Sequence, residues 1–328
     1  MSFSDIIGQQ EAKKILKDEL QSGRVSHAYL FAGEEGLGKK ELALEFVKAL
    51  LCGSEQLGSC DQCVVCRKID HENHADVRLL TLEEESSSFK IDQVRDMQQE
   101  LVYKPYEAPY KVYIIDSADR MTPEAANSLL QTLEEPPEYA VLILLAEEIN
   151  QLLPTIISRC QQIYFYNVAR EKIKDSLVKR GLTEEKAHLF SRLADGSPGR
   201  ARELVEDEQF MEYREDVLGF VKELSQKSYH DIFNQAQEME KYIRDDFPLL
   251  NLISSWYRDI ILYTAGKEKQ IVNLDYVEEI KNQASFYDIG ELSAILEHIT
   301  EINDYIGRNV NKELALDVLL TRIRSRRV

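Results

Sequence analysis

Basic residues are in short supply in this chain: 40 Lys and Arg stand against 58 Asp and Glu over 328 residues, a formal net charge of −18. Binding DNA through counterion release needs clustered Lys and Arg, so this balance argues against a chain that binds DNA by itself. An acid-rich surface points instead to solubility and to basic partner proteins. Long apolar runs are also missing, which argues against a membrane span. The opening Met-Ser-Phe-Ser-Asp-Ile-Ile-Gly has no basic n-region and no apolar h-region, so no secretion signal is read there. A cytoplasmic chain is expected. No internal repeat is visible. What is present is a hydrophobic share of 44%, on a length that buries a sizeable core and divides into two or three domains.

The most informative stretch is Tyr29 to Glu41, Tyr-Leu-Phe-Ala-Gly-Glu-Glu-Gly-Leu-Gly-Lys-Lys-Glu. An apolar strand, Ala28 to Ala32, leads into a glycine-rich turn, and a helix carrying Leu42, Leu44, Phe46 and Val47 follows. Glycines at Gly33, Gly36 and Gly38 let backbone N–H groups approach an anion, the helix N-terminus adds partial positive charge, and Lys39 adds a full one. The spacing fits a phosphate-binding loop up to its last position, where Ser or Thr is missing and Lys40 stands instead. A hydroxyl there would ligate Mg²⁺. An ammonium has no lone pair to offer and repels the cation, so no Mg²⁺ is expected. Whether ATP or ADP occupies such a loop stays open in the sequence.

A second absence lies at Ser117. The strand Val112-Tyr113-Ile114-Ile115 ends in Asp116, placed to hold metal-bound water, but the glutamate that active ATPases of this layout carry next is replaced by Ser117. A hydroxyl cannot act as the general base that a carboxylate is. Both departures point to a nucleotide pocket that has lost hydrolysis.

Cysteines are few, and four of the five fall at Cys52, Cys60, Cys63 and Cys66. The Cys-x2-Cys-x2-Cys run with Cys52 upstream suits a closed tetrahedral thiolate site, hence a structural Zn²⁺ with no open coordination position. His71 and His74 are near enough to be rival ligands. The fifth cysteine sits in Ser158-Arg159-Cys160. There Arg159 is either a surface charge or a group able to reach a neighbour's γ-phosphate, where such fingers contribute about 10³–10⁵ in rate.

Along the chain, Asp5 to Leu20 reads as an amphipathic helix ended by Gly23. Val77 to Leu82 is a short strand and Glu83 to Ser88 an exposed acidic loop. Ile91, Val94, Met97 and Leu101 mark a helix, and Lys111 to Asp116 is a strand. Thr122-Pro123-Glu124 starts a helix with Thr as N-cap and Pro at its first position, which stops at Pro136-Pro137. Ala140 to Ala146 is a strand buried on both faces; Gln161 to Tyr166 gives one more. Strands alternating with helices predict a parallel α/β layer. Beyond Asn167 only helical patterning is found. Glu171 to Leu204 forms a small bundle interrupted at Gly196-Ser197-Pro198-Gly199, and the stripes of Trp256, Tyr257, Ile260 and Ile261, of Leu292, Ile295, Leu296 and Ile299, and of Leu316, Leu319, Leu320 and Ile323 read as core. The acidic stretch Glu203 to Asp216 reads as a solvated helix face. The cluster Arg322, Arg324, Arg326 and Arg327 favours a helix end or a partner, with nothing to decide between them.

Taken together these residues resemble the clamp-loader branch of the AAA+ proteins, subunits of bacterial DNA polymerase III. Phe3-Ser4-Asp5-Ile6-Ile7-Gly8-Gln9 resembles the family's N-terminal box near the adenine site, and Ser26-His27-Ala28-Tyr29-Leu30-Phe31 its first strand. The four-cysteine module sits where the family places it. Asn127 to Pro137 is close to the family's most recognisable helix, Ser158-Arg159-Cys160 matches its arginine-finger motif, and Asn309-Val310-Asn311 with Leu314-Ala315-Leu316 is similar to its last collar helix. Arg200 lies one position from the family's sensor arginine and is not counted as a site.

The resemblance implies an α/β P-loop (RecA-like AAA+) domain over 1–166 with the zinc module at 52–66, a small helical lid over 167–206 and an all-α collar over 207–328. It implies a subunit that does not hydrolyse ATP, with a degenerate phosphate site at Gly33, Gly36, Gly38, Lys39 and Asp116. Such a subunit offers Arg159 in trans and helps load a sliding clamp onto primed DNA. Its partners would be the delta and tau/gamma subunits, met through the collar, with clamp and DNA engaged only in the assembly, in the nucleoid-associated replisome of a bacterium. Two other readings stand beside this one: an active motor of the tau/gamma type, and a zinc-containing nucleic-acid-binding module with a vestigial loop.

Overall fold

The computed structural model describes residues 2–53, 58–83, 86, 88–224, 227–240, 249–306 and 310–325. Residues 54–57 of the cysteine insertion, Glu84, Glu85 and Ser87 of the acidic loop, Asn309, and the terminal Arg326 and Arg327 lie outside them. The chain divides into two compact units, Met1–Glu203 and Leu204–Val328.

The first unit is built on strands β1 (Ala28–Ala32), β2 (Val77–Leu80), β3 (Lys111–Ile115), β4 (Ala140–Ala146) and β5 (Gln161–Tyr164). They pair in parallel in the order β2-β3-β4-β1-β5. Tyr29 lies opposite Ile143 on one side and Gln161 on the other, and Val112 opposite Val141 and Val77. Helices α1 (Gln10–Ser22), α2 (Lys39–Leu51), α3 (Val64–Asp70), α4 (Ile91–Leu101), α5 (Pro123–Glu134) and α6 (Pro154–Ile157) connect and cover the strands. Every residue of β1, β3 and β4 is buried, because both faces of the sheet are covered. Tyr29, Phe31, Ile114 and Ile143 pack in one core with Leu42 and Phe46 of α2. Leu30, Ile115 and Leu144 point the other way, into a core shared with Val94 and Met97 of α4 and Leu129 and Leu133 of α5. The expected parallel α/β layer is therefore the one observed. Helices α7 (Arg170–Lys179), α8 (Glu184–Leu193) and α9 (Pro198–Glu206) follow it.

Local chemistry sets the boundaries. Helix α1 begins at Gln10, later than the apolar stripe from Asp5 suggests, because Gly8 and Gln9 hold φ of 73° and 53°, left-handed values that a right-handed helix cannot continue. Phe3 and Ile6 are buried all the same. Helix α5 starts as expected: Pro123 is its first residue, and the Thr122 hydroxyl accepts the Ala125 N–H at 3.2 Å.

The second unit consists, among the described residues, of α10 (Phe210–Glu223), α11 (Tyr229–Glu240), α12 (Leu249–Thr264), α13 (Val277–Ala284), α14 (Ile289–Ile306) and α15 (Lys312–Ser325), with short 3₁₀ turns. Trp256, Tyr257, Leu292, Ile295, Leu316 and Leu320 are all core. The acids of the Glu203–Asp216 stretch are solvated as expected, but Arg214 among them is fully buried. Its guanidinium donates to Asp275 at 2.6 and 2.8 Å and to Asn273 Oδ1 at 2.8 Å, while buried Asp259 accepts the Val272 and Asn273 N–H groups. A buried cation is tolerated only with such partners. Among the described residues no helix is long and apolar enough to cross a membrane.

Asp76, at the entry to β2, accepts the backbone N–H groups of Tyr106, Glu107 and Ala108 at 2.6, 2.8 and 2.9 Å while itself buried. Burial alone would raise its carboxyl pKa; the three donors outweigh it and hold the group below the usual carboxylate range. A folded-state pKa below the unfolded one gives stability that is present above the unfolded value, about 3.9, and lost as pH falls through the folded one. Asp76→Asn is therefore expected to cost about 1–3 kcal/mol at neutral pH. In urea titrations the gap to the wild type should narrow as pH drops below about 3.9; a gap independent of pH would contradict this account.

Candidate functional site

The parallel sheet brings the C-terminal ends of β1, β3 and β4 to one edge, and the glycine-rich loop leaves β1 there. Gly33, Gly36 and Gly38 have φ of 155°, 71° and 89°; the last two lie in the left-handed region that favours glycine. Lys39 opens α2 and is buried. Its ammonium is turned back into the loop, donating to the carbonyl oxygens of Gly33 at 2.5 Å and Glu34 at 2.8 Å. Burial lowers its pKa against the opposing pull of Glu147, Asp116, Asp119 and Glu35. The residue that would grip a phosphate is thus satisfied by the loop's own backbone and surrounded by carboxylates.

The Lys40 ammonium lies 3.8 Å from the Asp116 carboxylate, so this pair sets a cation of the chain itself where a loop hydroxyl and a strand-end acid would share a metal. Ser117 follows in a left-handed conformation, φ 58°. Buried Asp119 accepts the N–H groups of Glu147 and Glu148 at 3.2 and 3.0 Å. Glu147, directly after β4, was not singled out from sequence, where it reads only as one of two acids ending an apolar strand. Burial and neighbouring Glu35 push its carboxyl above the usual range.

Helix α9 meets the loop backbone to backbone. The Gly199 N–H donates to Gly36 O at 2.8 Å and the Ser197 hydroxyl to Glu35 O at 3.1 Å. A Cβ on Gly199 would stand 2.6 Å from the Gly36 Cα. Gln9 secures the other side: its amide donates to Tyr166 O at 2.8 Å and Leu37 O at 3.3 Å, and its Oε1 accepts the Tyr166 N–H at 3.1 Å. The sequence pattern gave no sign of these contacts.

Arg159 follows α6 and is partly exposed. Its guanidinium pairs with Glu134 at 2.7 Å and donates to Thr155 O at 3.0 Å. Cys160 is a core thiol, pushed up to about 12 by burial.

The other four cysteines converge. Their sulfurs lie within 4.8 Å of one another, with Cys52 to Cys63 at 3.8 Å and Cys60 to Cys66 at 3.9 Å. Thiolates about 2.3 Å from a tetrahedral Zn²⁺ are separated by roughly 3.8 Å, so the set fits that ion. Backbone N–H groups of Cys63 and Cys66 point at the sulfurs of Cys60 and Cys63, both at 3.3 Å. His74 is not brought into the set: it is buried, and its Nδ1 accepts the Asp76 N–H at 3.1 Å. The module is tied to the loop's helix by Lys48 of α2, which pairs with Asp61 at 2.5 Å and Asp70 at 3.1 Å. The sequence pattern gave no sign of that link.

Residues 8–169 match the family described as DNA polymerase III, delta subunit, and residues 208–325 match the family described as DNA polymerase III, delta subunit, C terminal. The chain is 30% identical to DNA polymerase III subunit delta' of Bacillus subtilis over 95% of both proteins. It belongs to the DNA polymerase III delta' family. DNA polymerase III subunit tau of the same organism is 28% identical over 92% of this chain, which spans 57% of that longer protein. Among solved structures, a DNA polymerase III gamma subunit-related protein of Thermotoga maritima shares the fold, with a TM-score of 0.52, 20% identity, and coverage of 96% of this chain and 99% of that one.

In this delta' family member the contact between Gly36 and Gly199 leaves no room for a side chain. Gly199→Ala forces two backbones apart, which for a crowded site costs about 1–3 kcal/mol. A fall in thermal midpoint should follow, with a larger rate of proteolysis between α8 and α9. An unchanged midpoint would mean that α9 sits off the loop in solution.

Proposed function

We propose that this chain is the non-hydrolysing, delta'-type subunit of the DNA polymerase III clamp loader. It assembles with delta and tau/gamma subunits through a helical collar (207–328), with an α/β domain (1–166) and a lid (167–206) before it, and helps load the sliding clamp onto primed DNA. The likeness to a delta' subunit over 95% of both chains carries this reading. Three features of the loop support the loss of hydrolysis: Lys39 spent on Gly33 and Glu34, Lys40 on Asp116, and Glu147 beside them where phosphate charge would gather. Each opposes binding of a magnesium-bound triphosphate by charge or by prior occupation.

In this reading Arg159 is offered in trans to the ATP of an adjacent subunit, and Cys52, Cys60, Cys63 and Cys66 hold a structural Zn²⁺. The ion would stiffen an insertion that has little apolar core of its own; the chemistry of loading is left to the assembly.

The isolated chain should show no Mg²⁺-dependent ATP turnover. Appreciable hydrolysis abolished by Lys39→Ala would make it an active motor and end the proposal. In a loader reconstituted with delta and tau, Arg159→Ala should leave assembly intact while lowering ATP turnover by at least about tenfold; normal turnover would remove the finger role.

For the cysteine site, metal analysis of the purified chain should find one zinc per chain. Cys63→Ser should lose the ion and lower the thermal midpoint. A metal-free wild type with the same midpoint after chelation would exclude the zinc.

A further inference from the structure

We infer that Glu134 is a positioning residue for Arg159, an inference that rests on the reading of Arg159 as a finger acting in trans. Helix α5 ends at Glu134, is followed by Glu135, and has no basic residue in its last turn. A carboxylate there faces the partial negative charge of the helix C-terminus, so local electrostatics oppose it. The guanidinium of Arg159 offsets that opposition, its Nη2 lying 2.7 Å from Glu134 Oε1 while its Nη1 donates to Thr155 O at 3.0 Å. Two anchors from separate helices, α5 and α6, fix the plane of a side chain that would otherwise lose its rotamer freedom only when it meets a phosphate. Of the five N–H groups of a guanidinium these anchors take two, and the rest stay available to an incoming anion. Glu134 is itself about half exposed, 52%, so water screens its repulsion of that anion.

The experiment is steady-state ATP turnover by the loader reconstituted with delta and tau and with full-length versions of this chain. Exposed ion pairs of this kind contribute up to roughly fivefold, so Glu134→Gln should lower kcat about three- to fivefold with KM unchanged. In the Arg159→Ala background the same substitution should add nothing, because Glu134 acts only through the arginine. Wild-type or faster turnover by Glu134→Gln, while Arg159→Ala is slow, overturns the positioning role and leaves the finger standing. A further loss in the double variant overturns it as well, since the glutamate would then act through something else. Normal turnover by Arg159→Ala refutes the finger itself, and this inference with it.

Discussion

Parallel pairing of β1 with β4, and of β4 with β3, is the constraint on which the rest of the first unit depends. It places Gly33, Asp116 and Glu147, residues far apart in the chain, at the ends of adjacent strands on one edge of the sheet. Only a sheet covered on both faces can carry strands as apolar as these, and only parallel strands put their C-terminal ends together. The phosphate-type loop, the strand-end acid and the residues beside them are neighbours because the hydrophobic core has no other way to close.

At that edge the charged groups of the chain are satisfied by one another and by the loop's own backbone. A lysine ammonium meets the carboxylate of Asp116, and a second ammonium lies against the carbonyls of the loop that would cradle phosphate. Oxygen ligands and free N–H groups are what a magnesium triphosphate requires. Helix α9 rests on the same loop through two glycines, a contact made at van der Waals distance between main chains. The electrostatic and the steric features act on the same loop, one through charge and the other through close backbone contact.

The cysteine module and the second unit solve a different problem, that of polar groups with little solvent. Lys48 is buried in α2 yet serves two aspartates of the module, so the helix that begins in the phosphate loop also anchors the metal-type site. In the helical unit Arg214, Asn273 and Asp259 are linked by hydrogen bonds in the core. Such groups are expensive to leave half satisfied, and for that reason they specify one packing over others.

The sequence by itself determined the strand–loop–helix of Ala28 to Leu51, the buried strand Ala140 to Ala146, the capped start of α5 at Thr122 and the cysteine spacing, because each rests on local periodicity, turn chemistry or metal-ligand spacing within a few residues. It also marked Lys40 and Ser117 as departures, since a missing hydroxyl and a missing carboxylate are visible without coordinates. What Lys40, Lys39 and Arg159 turn toward was decided only by tertiary structure. Asp116 reaches Lys40 across the sheet edge and Glu134 reaches Arg159 between helices, at separations no periodic pattern encodes, while Lys39 folds back onto the carbonyls of its own loop. The docking of Gly199 on Gly36 belongs to the same class: two glycines read alone are turns, and only the folded backbone reveals that each makes room for the other.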